Sequence, residues 1–330
     1  MVTPAPRFIV GTGRCGSTLL SRVLAEHGDV VSIHECFTGL DWGRRFVDGV
    51  VNGAELVDLL AAEQPVTTRV IGLGYTSDEI QYPFDAPGAQ WQRGDPVPWL
   101  LVTMLSRLTS QPDELFDAFI AEARARPTST MAGHYEALFA WLTDRSGGSL
   151  WVERSGSSID YVGDLARLWP DARFLHIHRD GHEAALSIRD HPFFRLALAI
   201  VYDLFPPDLE AGPNGDDEAV IRHVVEHAPP LWCAGRYWSD QVLRGYRALA
   251  DLDPDQWLDV RFEDLVADPA ATLERIAGFF DLPADAGFVA RGAALVGDPP
   301  SSRFARLSAA EQDELREACR PGMVLLGRAD

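Results

Sequence analysis

A chain of 330 residues with 46% apolar side chains, 29 basic and 49 acidic groups and a net charge of −20 can bury a large core, which excludes a stapled mini-protein. The charge opposes general binding to nucleic acid or anionic membrane, and no nucleic-acid partner is expected. No lysine occurs, so any cation the chemistry needs must be a guanidinium, and any anion pocket must be locally basic.

Taken in chain order, Phe8-Ile9-Val10 predicts a strand, Gly11 to Gly16 a glycine-rich turn and Ser17 to His27 a helix. Further apolar runs at Val30 to Ile33, Leu150 to Val152, Arg173 to Ile177 and Leu258 to Phe262 read as strands buried on both faces. Helical patterns separate them, so the expected class is α/β with a central, mostly parallel sheet. From about 40 to 148 the strand signal fades, and a helical insertion packed on the sheet is expected within a single domain of 1–330. Pro206 to Asp217 reads as a surface loop, either a connector or a lid. Apolar runs such as Leu196 to Tyr202 fall far short of the roughly 18 to 20 residues of a membrane span. Met1 to Arg7 lacks a secretory signal, and a cytoplasmic protein is expected. Cys15, Cys36, Cys233 and Cys319 show no zinc-ligand spacing and read as reduced thiols.

The turn Gly11-Thr12-Gly13-Arg14-Cys15-Gly16-Ser17-Thr18 has the glycine spacing of a loop whose backbone N–H groups surround a phosphate at a helix amino terminus. Nucleotide triphosphatases place a lysine after the last glycine, where this chain has Ser17, so a triphosphate is poorly served. What remains is an anion cradle with the Ser17 and Thr18 hydroxyls and one fixed cation, Arg14. It suits a 5′-phosphate carrying one further anionic group. Cys15 at a helix amino terminus also suggests a thiolate nucleophile, but a cysteine phosphatase needs an arginine where Ser21 stands.

A second anion position falls where Arg173-Phe174-Leu175-His176-Ile177-His178-Arg179-Asp180-Gly181 runs from strand to helix. Arg179 stands at the strand's carboxyl end, where open parallel sheets bind ligands, and Ser187 follows about two helical turns on.

Together FIVGTGRCGSTLLSRVL and FLHIHRDGHEAALS resemble the 5′-phosphosulfate loop and 3′-phosphate site of the sulfotransferases that use 3′-phosphoadenosine 5′-phosphosulfate (PAPS). The stretch WLDVRFEDLVADPAATLERIAGFFDLP is similar to the family's carboxyl-terminal strand and helix. Ser301-Ser302-Arg303 resembles the serine-rich loop closing over the nucleotide in the Golgi and bacterial branches. The resemblance implies a P-loop sulfotransferase-like three-layer fold, with PAPS held by Gly13, Arg14, Cys15, Gly16, Ser17, Thr18, Arg179, Ser187, Ser301 and Arg303. The acceptor is expected to be a hydroxyl of a small molecule or carbohydrate, chosen by the 40–148 segment, and no metal is expected.

Sulfuryl transfer needs a base for the acceptor proton, donors to the sulfuryl oxygens and a cation on the leaving phosphate. Arg14 suits the last role because its charge is permanent, although it cannot supply a proton. The resemblance points to a glutamate after the second strand as base, which is Glu35, with His34 its neighbour and rival. Partial desolvation there would raise the pKa of Glu35 toward a useful value. Arg154 stands where related enzymes place a lysine that touches the sulfuryl group, and Ser302 matches a late serine.

Other readings compete. His176, His178, Asp180 and His182 suggest the HxHxDH signature of zinc hydrolases, broken by Gly181, with paired core histidines as the plainer explanation. The glycine spacing also fits a P-loop kinase acting on a small molecule, or a non-catalytic nucleotide-binding module. The nine tryptophans, Trp42 and Trp99 among them, are pocket candidates or simply core.

Overall fold

The structure is a computed structural model that describes residues 5–205, 218–283 and 285–328. Its described strands are β1 (Arg7–Val10), β2 (Val30–His34), β3 (Val50–Val51), β4 (Ser129–Thr130), β5 (Leu150–Arg154), β6 (Arg173–His178) and β7 (Trp257–Arg261). Five form one sheet in the order β2-β5-β1-β6-β7, and every neighbouring pair is parallel. The chain leaves β1 toward one edge, through β2 and β5, then fills the other through β6 and β7. β1 is therefore the switch point, and the crevice beyond its carboxyl end is where such sheets take ligands.

Side-chain alternation divides the core into two layers, one on each face of the sheet. Phe8, Val31, Ile33 and Phe174 pack on one face with Phe37, Leu56, Phe119, Tyr135 and Phe139, which come largely from the insertion. Ile9, Val30, Val152, Leu175 and Ile177 point the other way, onto Leu20, Leu273, Ile276 and Phe288. A further cluster around the buried Trp238 joins the helices Gly181–Asp190, Leu231–Ala250 and Ala309–Leu325. This is the expected three-layer α/β arrangement.

Within the insertion, helix Gly53–Leu60 starts at an Asn52/Glu55 capping box, and helix Pro112–Ala125 has proline in its first turn, where the missing N–H costs nothing. Helix Met131–Arg145 packs this region on the sheet through residues such as Tyr135 and Phe139. The region also contains the antiparallel pair β3 and β4, which sequence pattern does not reveal because two residues carry no period. The segment Pro206 to Asp217, expected as a connector or lid, lies outside the described residues. Among the described residues no helix is long and apolar enough to cross a membrane.

Candidate active site

The glycine-rich turn leaves β1 at Gly11 and enters helix Ser17–Leu24 through Gly16, which caps the helix at φ +98°. No side chain caps this helix, so its first-turn N–H groups are open to an anion. The backbone could not be built otherwise. A Cβ on Gly16 would stand 2.3 Å from the Phe262 ring, and one on Gly13 only 2.1 Å from Phe194. Arg14, between them, adopts φ +63°, an uncommon region for a residue with a side chain, which costs on the order of 1 kcal/mol. Cys15 is fully buried, and burial pushes its thiol above the usual range, against a thiolate nucleophile.

Glu35 follows β2 and shares the feature of Arg14: its φ is +50°. Its N–H donates to the Arg154 carbonyl at 2.8 Å, and the Trp99 indole donates to its carbonyl at 2.8 Å. The turn thus held aims the carboxylate into the crevice, where it accepts from Thr38 Oγ1 at 2.6 Å, the Gly156 N–H at 2.8 Å and Arg154 Nη1. Arg154 also donates to Ser17 Oγ at 3.0 Å and to Thr18 Oγ1. Both members of the ion pair are buried. One guanidinium therefore links the carboxylate to the Ser17 and Thr18 hydroxyls at the start of the loop helix.

His34 faces the other way. It lies on the face of β2 with Ser32, and its Nε2 pairs with Ser21 Oγ at 3.0 Å. Burial, with Arg154, Arg107 and Arg22 nearby, lowers its pKa well below the usual value, so it is neutral, and it does not line the crevice.

At the other side of the loop, Arg14 Nε donates to Ser187 Oγ at 3.1 Å. Arg179 lies over the Phe262 ring, 5.1 Å from its centroid, and among the described residues it has no carboxylate partner. Phe262 is thus a common wall between Gly16 and Arg179. Both anion positions and Glu35 line one cavity of about 1060 Å³.

Some predicted residues lie elsewhere. Ser302 donates to Glu183 Oε1 at 2.6 Å and Arg303 pairs with Asp190 at 3.1 Å, both on helix Gly181–Asp190, while Ser301 accepts from Arg306 at 2.6 Å, and all three lie outside the cavity lining. Glu183 and Asp190 of that helix hold Ser302 and Arg303 outside the cavity lining, although the sequence suggested nucleotide contact there. The alternating histidines have a structural explanation: His176 Nδ1 and His178 Nε2 pair with the two oxygens of Asp259 at 2.6 and 3.1 Å. Asp180 caps its own helix at Glu183 N.

Three residues of this cavity escaped sequence reasoning. Glu79, from the insertion, stands 3.6 Å from Arg14 Nη1 and 3.4 Å from His191 Nε2. Burial pushes its carboxyl up, but His191, Ser77 and Arg154 outweigh burial and hold it well below the usual range, so it is an anion beside Arg14. Arg45 completes the set. No motif marks them, because only the folded insertion and helix Pro192–Tyr202 bring them to the crevice.

An uncapped helix amino terminus at the switch point of a parallel sheet, with arginines at successive strand exits, defines an α/β protein equipped to hold a phosphorylated ligand. The chain matches the model of the sulfotransferase family over residues 87–199 and 224–286, more than half its length, and it belongs to that family. Among solved structures it is similar to the sulfotransferase domain from the curacin biosynthetic pathway, at 15% identity over 98% of both chains with a TM-score of 0.50. Sulfotransferase STF9 from Mycobacterium avium matches at 20% identity over 99% of this chain and 76% of its own, with a TM-score of 0.48. The sulfotransferase domain of the Synechococcus PCC 7002 olefin synthase matches at 18% identity over 99% and 97%, with a TM-score of 0.48. No curated protein matches the sequence.

Proposed function

We propose that this chain moves the sulfuryl group of PAPS to a hydroxyl of a small molecule or carbohydrate, with Glu35 as general base and no catalytic metal. The observation that carries this reading is the chain of hydrogen bonds Glu35–Arg154–Ser17/Thr18, which couples a carboxylate to the helix terminus where a phosphosulfate would lie. The residues present fit the nucleotide: uncapped N–H groups and Arg14 for the 5′ end, Arg179 and Ser187 for the 3′-phosphate. Bound PAPS supplies an activated sulfur whose bond to the phosphate oxygen breaks as the acceptor oxygen attacks in line.

The protein's own groups then have defined work. Glu35 takes the acceptor proton. Its carboxylate accepts two hydrogen bonds at Oε2 and one, from Arg154, at Oε1, so Oε1 keeps a lone pair for that proton, and Arg154 is the donor with another anion to turn to. As Glu35 becomes neutral, the guanidinium is released toward the sulfuryl oxygens. Arg14 and Ser17 stabilise the charge developing on the departing phosphate, without proton donation by Arg14.

Transfer of labelled sulfuryl from PAPS to a panel of phenols, aliphatic alcohols and sugars tests this. Glu35→Gln is expected to abolish transfer, a loss of at least about 100-fold, while keeping nucleotide affinity. A chain that binds nucleotide yet labels no acceptor is a binding module, and one that prefers ATP as donor is a kinase.

A further inference from the structure

Arg45 belongs to the insertion and forms part of the cavity wall, yet it is only 5% exposed. Its Nη1 donates to the Phe37 carbonyl at 2.8 Å. Three rings enclose the guanidinium carbon, at 4.2 Å from the centroid of Tyr161, 4.9 Å from Trp42 and 5.0 Å from Phe46. Its Nε has no hydrogen-bond partner, and among the described residues no carboxylate pairs with it.

That pattern is costly for a structural arginine. Removing a charge from water costs more than the facing ring surfaces return. The other arginines of the cavity are accounted for. Arg154 pairs with Glu35, Arg14 with Glu79 and Arg244 with Asp160, while Arg179 stands at the nucleotide's 3′ side. Arg45 is left without an anion, in the segment expected from the sequence to choose the acceptor.

We propose that Arg45 anchors an oxyanion, a carboxylate or a phosphate ester, borne by the acceptor, so that the acceptor is a hydroxylated acid. The proposal rests on the transfer reading above and narrows its substrate class. Phe37, whose carbonyl holds the guanidinium, follows two residues after Glu35 in the same turn, so the carboxylate and Arg45 belong to one wall of the cavity. One acceptor then presents its hydroxyl to Glu35 and its oxyanion to Arg45, joined by a spacer whose length the probes below vary. Trp42 and Tyr161, which also line the cavity, suit an apolar spacer.

The test is calorimetry on the protein saturated with 3′-phosphoadenosine 5′-phosphate (PAP), using probes matched in all but charge. These are ω-hydroxydecanoate and para-hydroxyphenylpropanoate, each against its methyl ester, and ω-hydroxydecyl phosphate against the corresponding diol. At least one charged probe is expected to bind about tenfold tighter than its neutral partner. The carboxylate and phosphate arms separate the two kinds of oxyanion. Arg45→Met is expected to erase the preference, Arg45→Lys to retain part of it, and neither to change PAP affinity. Equal binding in every pair, or a preference that survives Arg45→Met, overturns the proposal. Should Arg45→Met fail to fold, the wild-type ratios and Arg45→Lys decide. Failure of PAP to bind counts against the nucleotide reading alone, and the pairs are then compared on the nucleotide-free protein.

Discussion

Arg154 and Glu35 are joined twice, once by their charged side chains and once through the Glu35 N–H and the Arg154 carbonyl at 2.8 Å. The second bond extends the β2–β5 ladder, in which His34 pairs with Arg154, by one residue. The ion pair is therefore fixed by sheet register as well as by attraction. Arg154→Gln leaves a buried carboxylate without its cation and is expected to cost about 3–5 kcal/mol of stability. Glu35→Gln combined with Arg154→Gln removes both charges and should recover most of that loss without restoring turnover. Guanidinium unfolding midpoints of the single and double variants measure this, and an additive loss would contradict it.

Glu79 stands 3.6 Å from Arg14 Nη1, so under the proposed reading a phosphosulfate competes with a carboxylate for the same guanidinium. Glu79→Gln should tighten PAP about fivefold, equivalent to roughly 1 kcal/mol for a partly exposed pair. Titration of PAP into both proteins checks it. Weaker binding would mean that Glu79 positions Arg14 instead of competing for it.

Gly13 has no room for a methyl group under Phe194. Gly13→Ala is expected to lower PAP affinity by about tenfold or more, because the loop N–H groups cannot keep their direction while the ring is displaced. Adding Phe194→Ala should restore part of the loss. No recovery would place the fault in backbone conformation alone.

Glu153 lies fully buried beside the ion pair, with its carboxyl accepting from Ser155 Oγ at 2.6 Å. Burial raises its pKa from 4.5 to about 8. The folded protein therefore keeps this proton between those two values while the unfolded chain loses it, so the native state binds more protons. By linkage this group's contribution falls as pH rises from about 4.5 to about 8, and then levels off. The difference between wild type and Glu153→Gln, taken from unfolding at pH 5 to 9, isolates this contribution from the histidines and should reach a few kcal/mol. A difference independent of pH would contradict it.

Much of this architecture is legible in the chain because its strands are buried on both faces and read as apolar runs. The switch from β1 to a helix through Gly13 and Gly16 is legible for a related reason: only glycine fits beneath Phe194 and Phe262. The choice between His34 and Glu35 needs geometry, since strand alternation turns His34 to Ser21 and a left-handed turn redirects Glu35. Ser302 shows the opposite limit. Its segment looks like a nucleotide contact, but Glu183 provides a nearer partner. Glu79, His191 and Arg45 have meaning only after the insertion and helix Pro192–Tyr202 have come together at the crevice, and no local pattern could have named them.

Calorimetric titration with PAP and with adenosine 5′-phosphate, on the wild type and on Arg179→Ala, tests most directly whether one nucleotide bridges the exits of β1 and β6. The account predicts that the wild type prefers the bisphosphate by about 100-fold and that Arg179→Ala removes most of this preference while leaving the monophosphate unaffected. Equal affinity for the two nucleotides in the wild type would contradict it.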